Sequence, residues 1–356
     1  MFDMFKAPIE SLSRRTRRRL ELDRVQRMEA QSKHPLLGRH TDPNVVNDVL
    51  VGTSMTSPDT GRNPSANLWG PFGNFEGCDN KVWDDFTRIG NATMSSAYAG
   101  SIGAWTAYGS AGATLSDCQL EGGVLGMTSD TADEYVTLLS STGSFRMVTT
   151  STLALNKKLA FEARIARSVI TSAKGEFFVG LMAPTLSSGL PATAQPITAT
   201  DDTLMTAGDF FGFHCNQTTA VRGGPTEVAV AFELASGTVN YPTNCTTLMA
   251  STGNTVLAAD TFVKLGFLFD PNAPIKRVVS ATARQTAGTL RRALIRFFVN
   301  GIELPAFLSS EDVQNATATQ AFPTAFMSPV IAHANGASTF TVTKIDWIKV
   351  AQEATA

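Results

Sequence analysis

The chain has 356 residues, 43% hydrophobic and only 17% charged, with a formal net charge of −2. That length can bury a sizeable core, and near-neutral charge argues against a protein devoted to nucleic acid. No run of about 18 apolar residues is present, so no helical membrane span is expected. The average conceals an asymmetry: residues 1–40 carry ten Lys/Arg against five Asp/Glu, leaving 19 against 26 in the rest. A basic arm on an acidic body can dock on acidic surfaces, neighbouring copies included.

Residues 1–40 read as a basic helical arm. Phe2 and Phe5 form a short apolar lead before Pro8. Ile9 to Gln31 is free of Gly and Pro and rich in helix formers, which predicts a helix. Leu12, Leu22, Val25 and Met28 give it a thin apolar stripe, too narrow to fold alone but enough to lie on a partner. Arg14, Arg15, Arg17, Arg18 and Arg19 crowd onto about one turn. Three readings compete for the arm: a solvated helix, a clasp on another subunit, and a phosphate contact. No aromatic is interleaved to stack on bases, so nucleic acid is the weakest of the three. An acid at position 3 and the lack of an apolar run after it predict no secretory leader, and hence a chain made in the cytoplasm.

Residues 41–81 form an extended Gly/Pro-rich linker without periodicity. Trp69, Phe72 and Phe75 are too apolar for a free tether, so this passage is expected to drape over a neighbouring subunit. From residue 82 to the end the pattern is that of strands. The domain opens on Trp83-Asp-Asp-Phe86, and the Gly- and Ser-rich stretch Asn91 to Ala113 reads as loop. Strands are predicted at 113–120, 122–128, 134–140 and 144–150. The best-patterned early one is Leu159 to Arg167, where Phe161, Ala163 and Ile165 alternate with Glu162, Arg164 and Ala166. Glu176–Met182, Asp209–Cys215, Val228–Leu234 and a weaker piece at Thr246–Ala250 follow. Phe262 to Asp270 and Leu294 to Val299 carry the strongest alternation, and Asn300-Gly301 then marks a two-residue hairpin turn into Ile302. Ala325 to His333 and Thr339 to Val350 close the domain. A dozen strands with no helical pattern between them indicate an all-β protein of antiparallel sheets packed face to face.

Chemistry-bearing residues are scattered. Asp84-Asp85, Asp201-Asp202 and Glu311-Asp312 are adjacent pairs whose side chains diverge on an extended strand, and no acids two or four apart share a strand face, as a retaining glycosidase needs. His34, His40, His214 and His333 stand apart, and no Gly-x-Ser-x-Gly elbow precedes a helix. No catalytic residue, cofactor or metal site is expected. The four cysteines hold no CxxC pair, which argues against zinc; a Cys215–Cys245 bridge needs neighbouring strands. Asp130, Asp133 and Glu134 are loop acids that could hold calcium, against the simpler reading of a solvated turn.

The order of the strands, from Trp83-Asp-Asp-Phe through Gly175-Glu-Phe-Phe-Val-Gly-Leu, Asp209-Phe-Phe-Gly-Phe, Val263-Lys-Leu-Gly-Phe and Ile295-Arg-Phe-Phe-Val-Asn-Gly to Ile345-Asp-Trp-Ile, resembles the concanavalin A-like (laminin G-type) jelly-roll sandwich. More narrowly, it resembles the version in structural proteins of tailed bacteriophage virions. The match covers roughly residues 83–352 and leaves the arm outside. It implies a non-enzymatic virion protein, of capsid decoration or cement type. Its partners would be copies of itself and the major capsid or tail protein, held through Phe2, Phe5, Leu12, the arginine run, Leu22, Val25, Met28, Trp69, Phe72 and Phe75. The rival implication is a carbohydrate-binding or adhesion module of a tail fibre, with Trp105 and Tyr108 as candidate sugar-binding aromatics for a host glycan. A further alternative is a capsid protein whose basic arm contacts packaged DNA.

Overall fold

The computed structural model describes residues 61–72, 78, 80–87, 91–93, 98–118, 123–129, 131, 134–140, 145–147, 157–170, 175–183, 209–215, 227–233, 257–274, 291–309, 323, 325–335 and 341–353. The arm residues from Phe2 to Met28, Phe75 and the strand expected at 246–250 lie outside them. One short helix, α1 (Ala66–Phe72), precedes the strands. These are β1 (Asn80–Asp84), β2 (Ala92–Thr93), β3 (Tyr98–Ile102), β4 (Trp105–Gly109), β5 (Thr114–Asp117), β6 (Leu125–Ser129), β7 (Glu134–Ser140) and β8 (Leu159–Arg167). After them come β9 (Glu176–Met182), β10 (Phe210–Cys215), β11 (Ala229–Glu233), β12 (Val263–Pro274), β13 (Arg291–Val299), β14 (Ile302–Ser309), β15 (Ser328–Asn335) and β16 (Thr341–Gln352).

The strands form two antiparallel sheets, and the chain passes repeatedly between them, giving the expected two-sheet jelly-roll sandwich. The nine-stranded sheet runs β14-β13-β12-β8-β16-β6-β5-β2, with β1 also on β16; the seven-stranded sheet runs β11-β10-β9-β15-β7-β4-β3. Period-two alternation puts Phe161, Ala163 and Ile165 of β8 into the space between the sheets, with Leu265, Phe267 and Phe269 of β12. Phe211 and Phe213 of β10 enter from the other sheet. Phe267 lies at the centre, its ring 5.2 Å from Phe161, 4.9 Å from Phe211 and 6.1 Å from Phe213. The Asn-Gly turn is real: Asn300 and Gly301 have φ of 49° and 74°, and Val299 pairs with Ile302 across it.

Two sequence expectations change. The stretch read as loop from 91 to 113 holds β2, β3 and β4; its Gly, Ala and Ser residues gave no hydrophobic period, yet Trp105, Ala107 and Gly109 face inward. Of the strand expected at 144–150, Phe145 to Met147 are described, and Phe145 bridges Met327; the rest lies outside the described residues. The passage read as an extended linker includes α1, and Asn80 and Lys81 belong to β1.

A polar network sits inside the sandwich. His333 on β15 has Ser129 Oγ 2.8 Å from Nε2 and Thr343 Oγ1 2.9 Å from Nδ1, with Thr341 Oγ1 at 3.3 Å. Arg167 Nη1 donates to the Cys215 thiol at 3.0 Å. Burial, helped by the Arg167 cation, pushes the His333 pKa down to about 3. Between pH of about 6.5 and about 3 the unfolded chain therefore binds a proton that native His333 refuses. Stability is complete above that window and falls with acidification through it, by at most about 1.4 kcal/mol per pH unit. Denaturant titrations at pH 7, 6, 5 and 4 should show the gap between wild type and His333→Gln narrowing as pH drops. A constant gap rejects a neutral, buried His333.

Candidate interaction surface

Because Phe161, Ala163 and Ile165 face the core, Glu162 and Arg164 of β8 must face outward. The residues in register with Glu162 are Gly266 on β12 and Lys349 on β16, and Lys264 stands opposite Arg164. Such a charged face would ordinarily meet water, yet Glu162 is 0% exposed and Lys264 1%. The cover is the chain's own segment Arg62–Phe72, which lies across this sheet as a strap. Leu68, Trp69 and Phe72 pack on Ala160, Leu268, Phe298 and Ala351 together with Cys78. Gly266 makes the fit possible, since a Cβ there would come within 2.7 Å of Leu68 Cδ2.

Polar contacts fix the strap's register. Glu162 Oε2 accepts the Ser65 amide at 2.9 Å and the Trp69 indole N–H at 2.7 Å. Lys264 Nζ donates to the Asn63 carbonyl at 3.0 Å, and Asn67 Nδ2 to the Gly301 carbonyl at 2.9 Å. A bulge between Ile345 and Trp347 presents the Asp346 carboxylate, which meets Arg62 at 2.6 Å and also pairs with Arg164. The Trp347 indole N–H donates to the Arg62 carbonyl. Burial raises the Glu162 pKa; the Lys264 cation and the Ser65 and Trp69 donors pull it back. Asn300 holds Lys264 in place, its Oδ1 accepting the Lys264 amide at 2.9 Å and its own amide donating to the Lys264 carbonyl at 2.9 Å.

Beside the strap, Lys349 Nζ stands over two indoles, 4.2 Å from Trp69 and 4.6 Å from Trp83. Trp83 stacks on Trp347 with centroids 6.3 Å apart and planes 16° from parallel, and remains 45% exposed.

The sequence-predicted site residues are redistributed by the fold. Trp69 and Phe72, expected on a neighbour, are buried in their own chain's strap. Trp105 is 1% exposed, packs 5.5 Å from Phe86 and donates its indole N–H to Asp84 Oδ2 at 2.7 Å, so it offers no face to a sugar. Tyr108 is half-buried against a second apolar cluster containing Phe178 and Phe210 on the far face of the seven-stranded sheet. His214 lies 3.7 Å from Glu176, both 1% exposed, and the buried thiol of its neighbour Cys215 is on the opposite face of β10, where it meets Arg167. Glu134 is buried and its Oε2 accepts the Thr131 amide at 3.1 Å; Asp130 and Asp133 lie outside the described residues. Sequence reasoning missed Glu162, Lys264 and Asp346. The one available signal was a glycine inside the otherwise bulky strand Val263 to Phe269.

No family model matches this sequence, and no curated protein matches it. Among solved structures, the chain is similar to the Emp47p carbohydrate recognition domain, at 10% identity and a TM-score of 0.43, over 79% of this chain and 100% of that one. It is similar to lectin UEA-II complexed with galactose, at 10% identity and a TM-score of 0.41, over 78% and 100%. A Bacteroides ovatus mixed-linkage glucan GH16 protein in complex with its product shares 10% identity, a TM-score of 0.38, and 76% and 99% of the two chains. At such scores none of them bears on what this chain binds.

Proposed function

We propose that this chain is a non-catalytic structural protein of a virion, a capsid decoration or cement-type subunit. It is made in the host cytoplasm and binds copies of itself and the capsid or tail through its N-terminal arm. The observation that carries this reading is the strap. Arg62–Phe72 ties the chain ahead of β1 to a buried seat on the nine-stranded sheet through apolar packing, the Ser65–Glu162 hydrogen bond and the Arg62–Asp346 ion pair. The arm's ten Lys/Arg against five Asp/Glu suit it to an acidic neighbour. Deleting residues 1–60 while keeping the strap should leave a sandwich with unchanged melting temperature that no longer co-purifies with particles. Incorporation at the wild-type level removes the assembly role.

A second reading, a carbohydrate-binding or adhesion module, is favoured by Trp83. Its half-exposed indole is held flat by Trp347, as an apolar sugar face would require, and it replaces Trp105 as the aromatic to test. On a glycan array, binding abolished by Trp83→Ala supports this reading. No sugar signal from the wild-type protein rejects it.

A further inference from the structure

Trp83 is flanked by two side chains that the strap holds. Trp347, stacked against it, donates its indole N–H to the Arg62 carbonyl. Lys349 Nζ, 4.6 Å from the Trp83 ring, is 4.2 Å from the ring of Trp69. An indole fixed in this way has little freedom left to lose when a ligand lands on it. Trp83 is also the open one of the four tryptophans: Trp69, Trp105 and Trp347 are 8%, 1% and 2% exposed, against 45% for Trp83.

The charges that flank this indole on β1 and β16 are positive. Val82 points into the core, so Lys81 and Trp83 share the outer face of β1, about 7 Å apart along the strand. Lys81 is exposed, and Lys349 is the residue in register with Trp83. The acids close by are engaged in other contacts. Asp84 faces inward, where it accepts the Trp105 indole N–H and the Phe86 amide. Asp85, past the end of β1, accepts the Thr87 hydroxyl at 2.9 Å and the Thr87 amide at 3.3 Å. Asp346 pairs with Arg62 and Arg164, and Glu162, in register with Lys349, is 0% exposed beneath Ser65 and Trp69. The result is a stacking plate with cations at its rim.

We infer that the ligand of the Trp83 surface is an acidic saccharide. Its apolar ring face lies on the exposed indole, and its carboxylate or sulfate meets the Lys81 ammonium in the field of Lys349. This rests on the carbohydrate reading and names the class of sugar. A neutral sugar would use the indole and leave both ammonium groups without a role. Arg62 and Trp69 of the strap act as positioning residues, since they hold the two side chains that hold the indole.

The full-length protein is applied to an array carrying sulfated, sialylated and uronate-containing glycans beside neutral ones. Acidic glycans are expected to bind, and Trp83→Ala to abolish the signal. Lys81→Glu should weaken binding about tenfold or more, as the loss of a charge-assisted hydrogen bond does. Neutral glycans bound through Trp83, with no effect of Lys81→Glu, leave the carbohydrate reading standing and overturn the acidic assignment. No glycan bound at all overturns both. Fluorescence quenching tests the charge without any sugar, because Trp83 is the tryptophan open to a collisional quencher. Iodide should quench more strongly than caesium, and Lys81→Glu should shrink the difference. Equal quenching by the two ions, or a preference for caesium, overturns the inference.

Discussion

Replacing Phe267 by alanine is expected to cost about 3–5 kcal/mol of unfolding free energy. The ring is 0% exposed and touches aromatics from both sheets: Phe161 beside it, and Phe211 and Phe213 across the core. Its loss removes the transfer free energy of a large side chain and leaves a cavity that the rigid neighbours cannot close. Phe161 and Phe213 are themselves held by ladders, Phe161 by pairing with both Phe267 and Val350, and Phe213 by pairing with Val179 and Val230. For a domain of this size each kcal/mol lowers the melting temperature by about 2–4 °C, so a fall of roughly 10 °C should appear by calorimetry. Phe267→Leu should recover about half of it, since most of the volume returns. A shift of under about 2 °C for Phe267→Ala would show that this ring does not join the two sheets.

Most of the sandwich could be read from the sequence because its strands obey one rule. β7, β8 and β9 fall where apolar alternation put them, and the Asn300-Gly301 turn is where two positive φ values are required. Where side chains are small the rule is silent. β3 and β4 carry Gly100, Ser101, Ala107 and Gly109, and Ala107 and Gly109 are buried where β4 pairs with β7 and not through their own hydrophobicity.

The interaction surface was illegible for a different reason. Glu162, Arg164, Lys264 and Lys349 have the polarity of a solvated sheet face, and nothing local reveals that a segment far upstream of them all covers this face. Trp69 and Phe72 did signal that their passage was bound to something. Sequence alone had no means of telling a neighbour's surface from the chain's own sheet, because both demand the same apolar residues. Trp105 misled in the converse way: a Trp in a Gly-rich stretch looks exposed until β4 is seen to pair with β7.

Lys264→Ala is the sharper probe of the strap, because it removes a buried cation that holds the Asn63 carbonyl at 3.0 Å and leaves the sandwich core alone. In the native chain the Lys264 cation is the largest influence opposing the rise that burial imposes on the Glu162 pKa. Without it, Glu162 stays buried with only the Ser65 and Trp69 donors to stabilise its anion. Losing the Lys264 donor leaves the part-buried Asn63 carbonyl without that partner, which costs about 1–3 kcal/mol. The pH dependence carries its own sign. With its folded pKa raised above 4.5, Glu162 holds a proton in the native state at pH values where the unfolded chain has released it. The penalty should therefore shrink as pH falls through the raised value, a direction opposite to that set by His333. Glu162→Gln added to Lys264→Ala should recover much of the loss at neutral pH, because the amide has no charge to desolvate. Hydrogen exchange locates the effect, since the Leu68 and Trp69 amides that bond the Ser65 carbonyl at 3.1 and 3.0 Å are released when the strap opens. Faster exchange at these two amides, with β8 and β12 still protected, is expected for Lys264→Ala. A variant with wild-type exchange in α1 and no pH-dependent loss would mean that the strap is held by its apolar side chains alone.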